Sequence, residues 1–260
     1  MAIITLTTDW GYSDHYGGAV KGTLHRLVPE VNIVDISHNI ALHDIVHASF
    51  VLKNSFPSFP EGTIHIIGVN ADATLKKPHA LVKVDGHYFI GADNGIFSLL
   101  SQNSPQQIIH LDIYQDNDYF TFPTRDIFCK AAAELARGTA PEKLGDEAGS
   151  VNQLQVFKPV ITEDRIKAKV IHIDGYHNLI TNVDSQTFQK ARKGRNFRIH
   201  FHNGQFEVTN LSDSYSDVSE ASILAVFGSK GYLEIALNQG KASELLGVEL
   251  DTPVIIDFTE

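Results

Sequence analysis

One change of rhythm along this 260-residue chain constrains its fold more than any single motif: strand and helix signals alternate up to about residue 157, and after residue 166 almost only strand signals remain. Alternation of that kind buries strands between helices in a largely parallel sheet, whereas short strands separated by turn residues close on one another as a small barrel or sandwich. The expected architecture is an α/β domain over 1–157, a linker over 158–165 where Pro159 and charges interrupt both periodicities, and a small all-β domain over 166–260.

The first strand, Ile3–Thr8, stops at Asp9-Trp10-Gly11. Val20, Leu24 and Leu27 then recur at helical spacing, Val31–Ile36 is β-rich, and Ile45, Ala48 and Leu52 form a second helical stripe closed by Pro57 and Pro60. Thr63–Val69, apolar except for its Thr and His, belongs in the middle of a sheet. Asp85-Gly86, between His79–Val84 and His87–Ile90, predicts a two-residue hairpin turn, and helices are expected over 94–102 and 125–137, the latter ended by Gly138. In the second half, strands are expected over 167–173, 196–202, 205–210, 222–227, 232–237 and 253–258, with turns at Asn203-Gly204 and Asp251-Thr252-Pro253.

Charge and cysteine content exclude several functions. The 31 acidic against 21 basic side chains give a net charge of −10, and the only basic cluster is Lys190–Arg195, so nucleic acid lacks the basic face it needs. Cys129 is the single cysteine, sits in an alanine-rich helical pattern, and reads as a small buried apolar residue rather than a nucleophile. No apolar run is long enough to span a bilayer and the chain opens with a strand, which reads as a soluble, cytoplasmic protein without membrane partners.

Seven local sequences demand a common explanation: Thr7-Thr8-Asp9-Trp10-Gly11, Lys21-Gly22, Asp35-Ile36-Ser37-His38, Gly91-Ala92-Asp93-Asn94-Gly95, Arg125-Asp126-Ile127-Phe128, Asp174–Asn182, and Gly228–Ala236. In that order and at those separations the chain resembles the S-adenosylmethionine hydroxide adenosyltransferases, a family related to the S-adenosylmethionine-dependent fluorinase and chlorinase. The resemblance runs from residue 3 to about 258. It implies a homotrimer that binds a nucleoside ligand between the first domain of one subunit and the β domain of its neighbour, with no cofactor beyond S-adenosylmethionine itself. By that resemblance Asp9 grips the ribose diol, as suits an acceptor-only carboxylate facing two hydroxyls. Asp14 matches a position near the methionine end, Asp174 the acid that meets the ammonium, Tyr176 an aromatic packed on the adenine, and Asn178 an amide that reads the purine edge. Ser229 and Lys230 match the groups that hold the carboxylate.

The positions that perform chemistry depart from the family pattern. Water-using relatives carry an aspartate, an arginine seven residues later and a histidine before the Gly-Arg-Asp stretch; Asn70, Lys77 and Pro123 stand there. Attack of water on C5′ of a sulfonium needs somewhere for the proton to go, and general-base assistance contributes roughly two to four orders of magnitude in rate. An asparagine amide takes no proton, proline offers no side-chain group, and lysine lacks the planar fork of arginine. Asp72 is the candidate substitute. The halide-using branch carries a tyrosine at the position of Asn70 and a small or hydroxylated residue at that of Thr124, so Thr124 alone favours it and Asn70 opposes it.

Each feature has a plainer reading. An Asp after a strand usually caps a turn, Asp93-Asn94-Gly95 is a turn signature in its own right, and Asp35 and His38 fit a strand-end pair. His43 and His47 stand one helical turn apart, but no third ligand with defined spacing follows, so no metal is expected. No Gly-x-Gly-x-x-Gly or phosphate-cradling run is present. Two functions of different class result: an enzyme that hydrolyses S-adenosylmethionine to adenosine and methionine, and a non-catalytic homologue that keeps the adenosyl pocket. A third is a related enzyme with another nucleophile.

Overall fold

The computed structural model describes residues 1–201 and 206–260; the expected Asn203-Gly204 turn lies outside them. Two compact units divide the chain, Met1–Gln155 and Val156–Glu260.

The first unit runs β1 (Ile3–Thr8), α1 (Tyr16–Leu27), β2 (Asn32–Ser37), α2 (Ile45–Ser55), β3 (Ile64–Gly68), β4 (His79–Val84), β5 (His87–Ala92), α3 (Phe97–Leu100), β6 (Gln107–Leu111), α4 (Cys129–Ala136) and β7 (Gly145–Glu147). Its sheet has the order β2-β1-β3-β5-β4-β6-β7. Alternation of side chains along β1 and β3 serves two cores. Ile4, Leu6, Ile64 and Ile66 pack under α1 and α4, whereas Ile67 joins Leu52 and Phe56 of the α2 side. Thr5 points to the second face as well, where its hydroxyl meets His65 Nδ1 at 2.7 Å.

The sheet is mixed, not largely parallel. The β2-β1, β1-β3 and β3-β5 ladders are parallel, but β5-β4, β4-β6 and β6-β7 are antiparallel. The cause is the Asp85-Gly86 turn: both residues take positive φ (50° and 78°), the geometry of a tight hairpin, which reverses the chain beside β5. Two expected helices also differ. α3 is limited to Phe97–Leu100, and the helix at 125–137 begins as a π-helical turn over Thr124–Phe128 before α4.

The second unit contains β8 (Val160–Ile161), β9 (Arg165–Ile173), β10 (Leu179–Asp184), α5 (Ser185–Arg192), β11 (Asn196–Phe201), β12 (Glu207–Val208), β13 (Leu211–Ser212), β14 (Ile223–Phe227), β15 (Tyr232–Leu237), α6 (Ala242–Leu246) and β16 (Pro253–Thr259). Neighbours follow the order β12-β11-β16-β9-β10-β15-β14-β13. The first and last strands of that path, through Val208 and Leu211, pack on one core fed by every strand from β9 to β16, so the sheet curls into a nearly closed barrel. Helix is not absent here. Asp184 caps α5 by accepting from Thr187 N, and Phe188 seats the helix on Phe197, Phe227 and Phe258, so the basic Lys190–Arg195 cluster is the end of a helix.

Candidate active site

In the first unit, β2 lies on one side of β1 and β3 on the other, so the chain reverses its winding between β1 and β3. The crevice beyond the carboxyl ends of strands at such a switch is where open α/β sheets bind ligands. Thr8 and Gly68 are register partners at these ends, so the loops beginning at Asp9 and Val69 leave the sheet side by side.

The Asp9 loop is knitted by backbone. Gly11, at φ 67°, donates its N–H to His38 O (2.7 Å), and Ile40 N donates to Thr8 O. Asp9 is 9% exposed, and its Oδ2 accepts from His43 N at 2.9 Å. Its Oδ1 has no hydrogen-bond partner among the described residues, so one oxygen is anchored and the other is available to a ligand hydroxyl. Trp10 packs on His38, Tyr16 and Phe122. Gly68 makes this possible, since a Cβ there would stand 2.7 Å from Trp10 Cζ2. His38 Nδ1 meets Thr8 Oγ1 at 2.6 Å, and its Nε2 lies 3.1 Å from Asp35 Oδ1, close enough for charge attraction but not aligned as a hydrogen bond. Burial acts to raise Asp35, but the Lys21 hydrogen bond and the charges of His38 and Lys21 outweigh it and hold the carboxyl low. This is the strand-end pair expected of Asp35 and His38. Asp14 is exposed in the bend before α1. His43 precedes α2 at φ 61° while His47 lies within it, so they do not share a helix face.

The second loop, 70–77, closes on itself through a reciprocal Thr74–Lys77 backbone pair (3.0 Å each way) and is fastened to the rest of the unit by side chains. Asn94 Nδ2 donates to Asn70 O (3.1 Å), a His79 ring nitrogen donates to Ala71 O (2.9 Å), and Asn152 Nδ2 donates to Lys76 O (2.9 Å). Asn152 N in turn donates to both carboxylate oxygens of Asp93 at 3.0 Å; burial raises the Asp93 carboxyl although Asn152 and His110 act to lower it. Asp93 and Asn94 are thus more than a turn: they hold the loop in place. Asn70 sits at φ 46°, a left-handed conformation Asn tolerates well. Asp72 and Lys77 are exposed. The π-helical turn packs against α1, β3 and β5, with Pro123 at its start and Thr124 buried. Arg125 grips Asp126 through Nε and Nη2 at 2.6 and 2.8 Å, which raises the guanidinium and lowers the carboxyl.

In the second unit, Asp174–Asn178 is the turn between β9 and β10. Asp174 Oδ1 accepts from Tyr176 N (2.9 Å) and Asn178 N (2.8 Å), and Oδ2 accepts from Asn178 Nδ2 (3.1 Å). Asp174 and Asn178 are therefore one hydrogen-bonded unit, and the acceptor Oδ1 of Asn178 stays uncommitted among the described residues. Tyr176 projects from the turn, 81% exposed, so it is no part of the core. Ser229 and Lys230 occupy the β14–β15 turn, at the other end of the β10–β15 ladder, in which Leu179 pairs with Ile235 and Asp184 with Tyr232. Between the ends, Glu234 pairs with Ile180, and its carboxylate fills the space a Gly228 side chain would take. Burial and the Asp174 charge raise Glu234 despite the hydrogen bond from Tyr215 Oη (2.7 Å). Sequence reasoning assigned no role to Glu234, His79 or Asn152; the signal for Glu234 was its place in the last motif. A shallow groove beside the same turn, walled by Ile173, His177, Ser243 and Val248, holds none of the expected ligand-binding side chains.

Family models match both units: the SAM hydroxide adenosyltransferase N-terminal domain over residues 4–145 and the corresponding C-terminal domain over 168–255. The chain belongs to the SAM hydroxide adenosyltransferase family. It is 30% identical over 256 residues to the (R)-S-adenosyl-L-methionine hydrolase of Methanocaldococcus jannaschii, covering 95% of this chain and 92% of the relative. The enzyme of the same name from Thermus thermophilus is 29% identical over 270 residues, 98% of this chain and 99% of the relative. Among solved structures, an uncharacterized conserved protein from Thermotoga maritima superposes with a TM-score of 0.89 at 29% identity, covering 98% of this chain and 99% of its own. Among the described residues, no helix of this family member is long and apolar enough to cross a membrane.

Proposed function

We propose that this chain catalyses attack of water on C5′ of S-adenosylmethionine, releasing methionine and leaving adenosine. The observation that carries the reading is Asp9: a buried carboxylate at the winding switch of an α/β sheet, one oxygen tied to His43 N and the other open, in register with the family's motifs. Such a group suits a ribose diol.

The other roles follow the same logic. Asn178 offers the purine amino group an acceptor, Tyr176 supplies a ring for the adenine to pack on, and Ser229 and Lys230 receive the methionine carboxylate. Asp174, with Glu234 beside it, places negative charge toward the substrate's ammonium. Asp14 lies toward the methionine end, and Thr124 backs the reacting centre. We extend to this chain the homotrimer implied by the resemblance, with each site shared by two copies, a cytoplasmic location, and the R sulfonium epimer named for the relatives.

Asn70, Lys77 and Pro123 favour one other reading, a protein that binds the adenosyl group without turning it over. Incubation with each sulfonium epimer, followed by chromatography for adenosine and methionine and by calorimetry for binding, separates the two. Stoichiometric adenosine and methionine support hydrolysis, binding without product supports the second reading, and neither binding nor product rejects both.

A further inference from the structure

The proposed hydrolysis leaves a proton without an acceptor, because Asn70 and Pro123 stand where the resemblance places an acid and a histidine. One imidazole lies against the same loop. His79 opens β4, whose first residue pairs with Ala92 of β5, at the edge of the sheet where the Asp9 and Asn70 loops emerge. Its Nε2 lies 2.9 Å from Ala71 O, one residue beyond Asn70. A carbonyl only accepts, so Nε2 carries the hydrogen and the neutral ring keeps its lone pair on Nδ1. Nδ1 has no hydrogen-bond partner among the described residues. The ring is held edge-on to Phe128 of the π-helical turn, with centroids 4.9 Å apart.

The charge acting on this ring comes from the loop, through Asp72; the turn presents the apolar Phe128 and β5 presents Ala92. Burial holds His79 below the ordinary imidazole range, against the Ala71 carbonyl and the Asp72 charge, which pull upward. The ring is therefore neutral at neutral pH, with a carboxylate near enough to stabilise the imidazolium once it forms.

We propose that His79 is the proton acceptor of this chain, supported by Asp72, and that the pair replaces the family's lost acid and histidine. The inference rests on the hydrolase reading. In the step, a water oxygen lone pair forms the bond to C5′ while the C5′–S bond breaks, and its electron pair stays on sulfur as the neutral thioether of methionine. The proton from the attacking water passes to Nδ1 of His79 and later to solvent, leaving adenosine.

The test is the pH dependence of kcat in wild type, His79→Gln, His79→Ala and Asp72→Asn, with calorimetric affinity for S-adenosylmethionine measured on each. Wild type should gain a factor of ten per pH unit on the acid side and level off below pH 6.5, the unperturbed imidazole value. Glutamine can still donate to Ala71 O but cannot take a proton, so His79→Gln should keep its affinity, lose roughly 10²–10⁴-fold in kcat and lose the acid limb. Added imidazole should restore part of the rate of His79→Ala. Asp72→Asn should shift the acid limb to lower pH and leave most of the plateau. The proposal is overturned if His79→Gln turns over within about threefold of wild type with its acid limb intact, if affinity falls in step with kcat, or if Asp72→Asn alone removes the limb. A wild type that binds without product defeats the hydrolase reading and this proposal together; an active wild type with an unaffected His79→Gln defeats only the proposal.

Discussion

Two loops leave adjacent strands at matched register, yet by the resemblance one carries the residue expected of the family and the other does not. The loop after β1 presents Asp9, and the loop after β3 presents Asn70 where the resemblance implies an aspartate. They are built differently. Backbone hydrogen bonds tie the first to its neighbours, and the second hangs from the side chains of Asn94, His79 and Asn152, which bond the backbone carbonyls of residues 70, 71 and 76. The comparison teaches that the chemistry of the second loop is separable from its shape: residue 70 can change without loss of the backbone path, whereas Asp9 is itself a tie in its loop, through His43 N.

The largest expected effect tests that separability. The left-handed backbone at residue 70 admits Asp as readily as Asn, so Asn70→Asp combined with Lys77→Arg and Pro123→His should fold and bind normally. In the His79→Gln background, which lacks the proposed acceptor, turnover measured by adenosine release should rise by roughly 10²–10⁴-fold, the range of general-base assistance. A folded, binding triple variant with no gain would mean that the loop is mispositioned and that the two loops differ in shape after all.

Next in size is a pH effect on the platform both loops share. His65 joins β3 to β1 through Thr5, and burial, aided by the nearby His87, lowers its pKa from 6.5 to about 3. Between these values the unfolded chain binds a proton that the folded chain refuses, so the contribution is complete above pH 6.5 and is lost as pH falls toward 3. At about 1.4 kcal/mol per pH unit this is on the order of 5 kcal/mol. Denaturant titrations across that window should show the loss, and His65→Gln should flatten it. Smaller again, Asp9→Ala should cost about 1.5–3 kcal/mol of binding, roughly 10- to 150-fold in Kd by calorimetry, while the 70–77 loop is unperturbed.

Much of this was legible in the sequence, for reasons that can be named. The runs that became β1 and β3 are buried and free of Asp, Glu, Lys and Arg because both faces are covered, and Asp85-Gly86 took the expected positive φ at both residues. That same turn contradicted the expectation of a largely parallel sheet, since a two-residue hairpin forces its strands antiparallel. α5 escaped notice because it is polar outside Phe188 and Ala191, although Asp184 before it and Gly194 after it were legible end signals. β10 was absorbed into the Asp174–Asn182 motif and not read as a strand. The site was legible at Asp9 because a carboxylate ends an apolar run. His79 and Asn152 were not, because their partners lie 8 and 76 residues away and long-range polar contacts leave no periodicity.

The smallest effect is the sharpest probe of how the two loops meet. Gly68 ends β3, and a methyl group there would stand 2.7 Å from Trp10 Cζ2 and 3.1 Å from Thr8 Cγ2, both of them on the Asp9 side. The Trp10 ring must yield, because its neighbours Tyr16, His38 and Phe122 already enclose it. Overpacking of this kind costs about 1–3 kcal/mol, and the ring's partial exposure puts Gly68→Ala near the lower end. Trp10 is the only tryptophan in the chain, so its emission reports the surroundings of this one ring. The expected outcome is a shifted emission spectrum, a stability loss of about 1 kcal/mol in urea, and weaker binding carried by the displaced Asp9 loop, with kcat at saturating substrate nearly unchanged. Should kcat fall while affinity and emission stay the same, the strain would have passed into the second loop, and the independence of the two would be lost.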